Sequence, residues 1–235
     1  MPILLEVAIA TLADARTAHA AGADRLELNA ALDVGGLTPS LGTLALIHES
    51  VPLPVIAMLR PRPGGFVYSD AEFLTMQRDA DLLLAGGAMG VAMGFLGGDR
   101  TVDIDRTRAL VRQIGPSHQA VFHRAFDLTR DPFAALDSLI DCGVTRILTS
   151  GQQPTALAGA GLIRRLIDHA AGRIEILPGA GVTPDNAVEL IAQTAATQVH
   201  GSFSEILEDS AEPVFEGSYR ATNARLVAAT RVAIG

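Results

Sequence analysis

The sequence predicts an α/β fold, a single (β/α)8 barrel. Three observations lead there. Short β-like runs alternate with Ala- and Leu-rich helical runs along the 235 residues, the pattern of a parallel sheet with crossover helices. The repeating βα unit occurs eight times, in a chain close to the ~250 residues typical of one closed barrel. No Gly-rich dinucleotide turn follows the first strand, which argues against an open doubly wound sheet.

Taken in order, the strands are predicted at 3–8, 25–29, 55–60, 90–95, 120–123, 146–150, 174–178 and 198–201. Helices are predicted at 11–22, 39–50, 70–86, 103–114, 131–142, 156–171 and 184–194, with a last one at 221–233 closing the wall. Gly22 and Gly143 stand where helices end, since glycine relieves the left-handed turn there. Thr38-Pro39, Asp131-Pro132 and Thr183-Pro184 read as helix starts, a capping side chain followed by proline in the first turn. In Leu-Glu-Leu-Asn, alternation sends Leu26 and Leu28 toward the helices and Glu27 and Asn29 inward. The stretch 203–220 carries several acids and no clear periodicity, and reads as a long loop. No linker divides the chain, so residues 1–235 are expected to form one domain.

Composition narrows the function. Hydrophobic residues make up 49% of the chain and charged residues 19%, ample for a large core. No apolar stretch is long enough to span a bilayer. The opening MPILLEVAIA lacks a basic n-region and is broken by Glu6, so it reads as a buried strand rather than a signal peptide. A cytoplasmic location is expected. The one cysteine, Cys142, allows no internal disulfide; its expected role is packing near a helix end. The formal net charge is −8, with 18 Lys plus Arg scattered along the chain and no Trp. A basic face and a stacking platform are both lacking, so nucleic acid is not an expected partner.

The residues with chemistry fall at one end of the strands. Glu6 breaks strand one; Glu27 and Asn29 alternate on strand two; Arg60 ends strand three. His123 and Arg124 end strand five, with Asp127 following; Thr149 and Ser150 end strand six; His200 and Ser202 end strand eight. In a (β/α)8 barrel these C-terminal strand ends form the site. Glu6, Glu27, Arg60, His123 and His200 are the candidate catalytic groups. An ion network of Glu6 and Glu27 with Arg60 or Arg124 is their structural alternative. Leu-Pro-Gly-Ala-Gly-Val over 177–182 and His-Gly-Ser over 200–202 follow strands seven and eight, where such barrels bind phosphate. Gly179, Gly181, Gly201 and Ser202 would present backbone N–H groups to an anion, with Asn29, Arg124, Asp127 and Ser150 nearby. Arg60 and Arg62 can grip a carboxylate or phosphate bidentately, and Tyr68 could cover the site. The expected partner is therefore a small anionic molecule.

The segments GADRLEL, GGLTPS, RPRPGGFVYSD, FHRAFD, RILTSG, ILPGAGV and VHGS, taken together and in this order, resemble the CutC family. They span residues 5 to 202, most of the chain. The resemblance implies a TIM barrel, dimeric or larger, in the cytoplasm, with a role in copper homeostasis and copper binding. One departure bears on that role. The family often has cysteine two residues after the strand-two glutamate; here the residue is Asn29. Cu(I) prefers thiolate and thioether ligands. Met58 and Met93 are expected to pack in the core, leaving His123 and His200 as the metal candidates, for Cu(II). Three readings therefore stand side by side. One is a copper-handling protein. The second is an enzyme using acid–base chemistry on a small phosphorylated or carboxylated metabolite, with a hard metal between the glutamates as a variant. The third is a binding barrel without catalysis.

Overall fold

Eight short parallel strands close on themselves in the computed structural model, which describes residues 2–209 and 217–235. The strands are β1 Leu4–Ile9, β2 Arg25–Leu28, β3 Val55–Met58, β4 Gly90–Met93, β5 Gln119–Phe122, β6 Arg146–Thr149, β7 Glu175–Pro178 and β8 Gln198–Gly201. Each pairs with its neighbours in sequence, and β1 also pairs with β8. A bridge between Gly179 and His200 joins β7 to β8 and closes the ring. The outer wall is α1 Leu12–Ala20, α2 Leu41–Ser50, α3 Asp70–Ala85, α4 Ile104–Ile114, α5 Pro132–Cys142, α6 Ala160–Ala170, α7 Ala187–Thr194 and α8 Ala224–Ile234.

Among the described residues, six of the eight helices begin at a capping side chain; α6 and α7 do not. Thr11 and Ser69 form capping boxes with Asp14 and Glu72, and Asp131 caps α5 ahead of its proline, each accepting orphan N–H groups of a first turn. Apolar side chains pointing away from the barrel axis, Leu26 and Leu28 among them, build one large core between strands and helices. Met93 sits in that outer core, as expected. A second, small apolar cluster of Ile56, Met58, Ala92 and Val121 lies inside the barrel.

The rest of the interior below this cluster is polar. Arg25, Gln119, Arg146, Glu175 and Gln198 are each the first residue of a strand. The Arg25 guanidinium donates to Glu6 and, at 2.7 Å, to Gln198 Oε1. Gln198 in turn donates to Glu175 Oε2 at 3.2 Å. Arg146 donates to Glu175 at 2.7 Å and to Gln119 Oε1 at 2.9 Å. The barrel floor is thus a ring of ion pairs and amides. The alternative network expected from sequence is not the one formed: Glu6 takes Arg25 as its partner, not Arg60 or Arg124.

The stretch 203–220 corrects the expected loop. Where described, it holds two antiparallel strands, β9 Ser204–Asp209 and β10 Gly217–Thr222, with Leu207 opposite Tyr219 and Ile206 opposite Arg220; residues 210–216 lie outside the described residues. The ribbon leaves Ile206 and Tyr219 exposed, so it lacks the one-sided apolar alternation that marks a strand in sequence. It is tied to the barrel by Arg220 to Asp33 at 3.1 Å and by Thr222 N–H to Asp14 Oδ1 at 2.8 Å.

Candidate functional site

The C-terminal ends of the strands open into a cavity of about 650 Å³. Glu27, Asn29, Met58, Arg60, His123 and His200 line it from the barrel. Loop residues complete the wall, among them Leu32, Val34, Phe66, Leu128, Val182 and Phe203. An apolar wall with a few convergent polar groups is the usual make-up of a small-molecule site.

His200 is the link between mouth and floor. Its Nδ1 lies 2.8 Å from Glu6 Oε1, and its Nε2 lies 4.0 Å from Glu27 Oε2. All three residues are buried. Burial works against the His200 imidazolium, but attraction to Glu27 and the bond to Glu6 outweigh it and raise its pKa. Burial also works against ionised Glu6, yet the bond from His200 and the Arg25 guanidinium hold it down at about 2. For Glu27 the balance goes the other way. Burial pushes its carboxyl up, attraction to His200 opposes this, and repulsion from Glu6 adds to it. Two carboxylates on one imidazole are thereby driven apart in acidity, the arrangement that separates an acid from a base.

His123 differs from His200. Its Nδ1 accepts the N–H of Ala125 at 3.1 Å, so the ring proton sits on Nε2. Burial, and then the nearby Arg60 guanidinium, push its pKa down to about 3. His123 is a neutral hydrogen-bond donor, and Nε2 has no protein partner. Arg60 is pinned by three carbonyls: Nη1 donates to Val34 O and Gly36 O, at 3.0 and 3.1 Å, and Nη2 to Gly64 O at 2.7 Å. Its Nε is buried without a partner. Asn29 donates to Glu27 Oε2 at 3.0 Å, while its Oδ1 is also unpartnered. Each such atom costs about 1–3 kcal/mol of stability.

The remaining expected site residues divide. Arg124, Asp127, Gly181, Gly201 and Ser202 line the cavity. Asp127 accepts from Thr149 Oγ1 at 2.5 Å, Ser150 Oγ and Arg124 Nε at 2.9 Å and the Gln152 N–H at 3.2 Å, so it fastens the loops after β5 and β6. Ser150 lies behind it, outside the lining. Gly179 also stays outside: its N–H donates to Thr149 O at 2.9 Å, and a Cβ there would fall 2.6 Å from Leu148. Beside it Ala180 (φ +84°) and Gly181 (φ +67°) turn in the left-handed region, as does Phe203 at φ +44°, a strained conformation for residues other than glycine. Arg62 does not reach the cavity. It pairs with Glu72 and donates to the carbonyls of Gly65 and Val67. Tyr68 is buried edge-on to Phe95, 6.0 Å between ring centres, and does not cover the site; Phe66 takes that place.

Sequence reasoning missed Phe66, Phe203 and the floor ring. For the floor a signal existed: Arg25 and Arg146 follow Gly-Ala-Asp and Gly-Val-Thr, the same spacing from a helix-ending glycine to the first strand residue. For the two phenylalanines, loop paths decide, and no periodicity marks them.

Among the described residues, Glu6, Glu27 and His200 each bring one ligand atom within 4.8 Å of the others. This oxygen and nitrogen set suits a borderline or hard cation rather than Cu(I). Soft donors are scarce: Met58 lines the cavity, whereas Cys142 is buried in α5, its Sγ 3.8 Å from Ile104 O. No helix among the described residues is long and apolar enough to cross a membrane.

A model of the CutC family matches residues 3–205. The chain belongs to the CutC family. A CutC family protein from Treponema denticola is 50% identical over 198 residues, covering 84% of this chain and 80% of that protein. The human copper homeostasis protein cutC homolog is 42% identical over 199 residues, covering 85% of this chain and 72% of that protein. The crystal structure of CutC from Streptococcus agalactiae superposes with a TM-score of 0.81 at 31% identity, over 85% of this chain and 98% of that one. Phosphoribosylanthranilate isomerase from Thermotoga maritima gives 0.58 at 12% identity, over 99% of this chain and 98% of that one, a likeness of fold alone. The CutC match stops at residue 205, so the β9–β10 ribbon lies almost wholly beyond it.

Proposed function

We propose that this CutC-family chain serves copper homeostasis and that the barrel mouth is its working site. The role is the one in the names of the human and mouse relatives. The observation that carries the site is His200 Nε2 facing Glu27 across 4.0 Å, with Glu6 orienting the ring through Nδ1. That is the outer carboxylate–imidazole arrangement that tunes metal-binding histidines. The donors fit Cu(II); with Asn29 in the position where thiolate would serve, they do not fit Cu(I). The buried lone Cys142 agrees with a reducing, cytoplasmic setting. The test is calorimetric titration of the metal-free protein with Cu(II), and with Cu(I) under reducing conditions. One-to-one Cu(II) binding, weakened at least ~10-fold by His200→Ala, supports the reading. Tight Cu(I) binding that survives His200→Ala overturns it.

A second reading, acid–base chemistry on a small carboxylated or phosphorylated metabolite, is favoured by the size of the cavity, which far exceeds a bare ion. There Glu27 and His200 are the proton-handling pair, and His123 contributes a hydrogen bond rather than a proton. A saturable metabolite that is turned over by the wild type and not by Glu27→Gln supports this reading; full turnover by that variant removes Glu27 from the chemistry.

A further inference from the structure

Two donors without partners share one wall of the cavity, and their surroundings explain how they meet. Arg60 and His123 stand just past the ends of β3 and β5. Between them β4 runs on into Gly94, where a Cβ would fall 2.4 Å from His123 Cε1 and 2.6 Å from Nδ1. The absence of a side chain there lets the imidazole lie over β4 toward Arg60. The Nδ1–Cε1 edge is packed against Gly94 and the Ala125 N–H, so Nε2 is the ring's remaining donor, on a residue that lines the cavity. Phe66 touches both residues, its ring centre 4.8 Å from that of His123 and 5.1 Å from the Arg60 guanidinium carbon. Both groups are more than nine-tenths buried, and both Arg60 Nε and His123 Nε2 lack a protein acceptor.

We propose that this wall binds a planar oxo or carboxylate group of a small molecule, which accepts hydrogen bonds from His123 Nε2–H and Arg60 Nε–H. The inference rests on the small-molecule reading of the cavity and is independent of copper. A cation is excluded from this wall because both unpartnered atoms are donors and one belongs to a guanidinium. Phosphate is disfavoured because three of the five Arg60 N–H groups are already bonded to the Val34, Gly36 and Gly64 carbonyls, leaving only Nε–H and one Nη2–H for an anion that calls for several donors. A flat acceptor with in-plane lone pairs matches two donors on one wall. The site differs from the anion position expected at the loops after β7 and β8, which lie across the mouth.

The probe is pyruvate, which carries both a keto and a carboxylate oxygen, followed by NMR on the full chain labelled uniformly with 15N. In the free protein the His123 nitrogens should report the neutral tautomer protonated at Nε2. Added pyruvate should shift the His123 Nε2–H and Arg60 Nε–H resonances saturably, and His123→Phe should weaken that binding at least ~10-fold while Cu(II) affinity stays unchanged. Saturable shifts confined to the backbone amides of Gly181 and Ser202 would overturn the proposal and leave the small-molecule reading standing. No saturable shift at any cavity residue would overturn both. Saturation of the donor pair by inorganic phosphate but not by pyruvate would overturn the assigned class. The wild-type spectra carry the test if His123→Phe does not fold.

Discussion

The floor and the mouth of the barrel are both polar, yet they treat their polar groups in opposite ways. On the floor, Arg25, Glu6, Gln198, Glu175, Arg146 and Gln119 answer one another, and Arg146 Nη1 is the one fully buried atom of the six left without a partner. At the mouth Asn29 Oδ1, Arg60 Nε and His123 Nε2 are all buried and unanswered, and Ala180 and Phe203 hold left-handed backbone. A charged floor in place of the branched apolar layers usual in these barrels adds register and polarity at little net stability, since buried ion pairs roughly offset their own desolvation. Unmatched polar atoms at the mouth, two donors and one acceptor, are a standing cost that a bound molecule would relieve. The difference teaches which end is structure and which end is site.

The comparison is broken most forcefully at Arg25. Arg25→Met leaves Glu6 buried without its guanidinium, and a loss of about 3–5 kcal/mol is expected in urea denaturation. Adding Glu6→Gln should recover part of it. A loss below ~1 kcal/mol would mean that the floor matters no more than a surface pair.

Acid separates the two ends next. His123 has a folded pKa of about 3 against an ordinary 6.5. Below pH 6.5 the unfolded chain takes up a proton that the folded chain refuses. Stability therefore falls toward pH 3, by up to ~1.4 kcal/mol per pH unit. Glu6, held at about 2 against 4.5, contributes stability that is full above 4.5 and is lost only as pH falls toward 2. The His123 contribution should be lost first, from 6.5 downward, and that of Glu6 only below 4.5. In His123→Asn the upper of these two windows should flatten in denaturation measured across pH; its persistence would assign that window to another group.

A smaller effect sharpens the role of shape. Gly179→Ala places a Cβ 2.6 Å from Leu148 and 3.1 Å from His200. The expected cost is ~1–3 kcal/mol, with weaker Cu(II) binding as His200 is displaced; calorimetry on the folded variant reads the second effect. The smallest change is expected at Arg62, whose pair with Glu72 is half exposed and away from the cavity. Arg62→Ala should cost at most ~1 kcal/mol and leave pyruvate and Cu(II) titrations unaltered. A large effect on either would place Arg62 in the site after all.

Much of this was open to the sequence because strands and helices announce themselves by period. All eight barrel strands and all eight helices fall at the expected places, and Glu27 and Asn29 face inward because Leu26 and Leu28 must face out. The ribbon of β9 and β10 escaped because neither of its faces is buried. Position at the strand ends likewise predicted that Arg60 and His123 would reach the mouth, but not what they would meet there.

By itself, then, the sequence determined the barrel, the direction of its strands and the end at which the chemistry gathers, since these depend on local period and on which residues stand last in each strand. Tertiary structure alone decided the partners. Arg25 comes to Glu6 because β1 and β2 pair in the register that sets those two residues side by side. Arg62 turns to Glu72, and Arg60 to the carbonyls of two loops. His123 becomes a neutral donor because the next turn offers it the Ala125 N–H. Which group a charge meets depends on the path of chain tens of residues away, and burial by that chain then sets whether the proton stays.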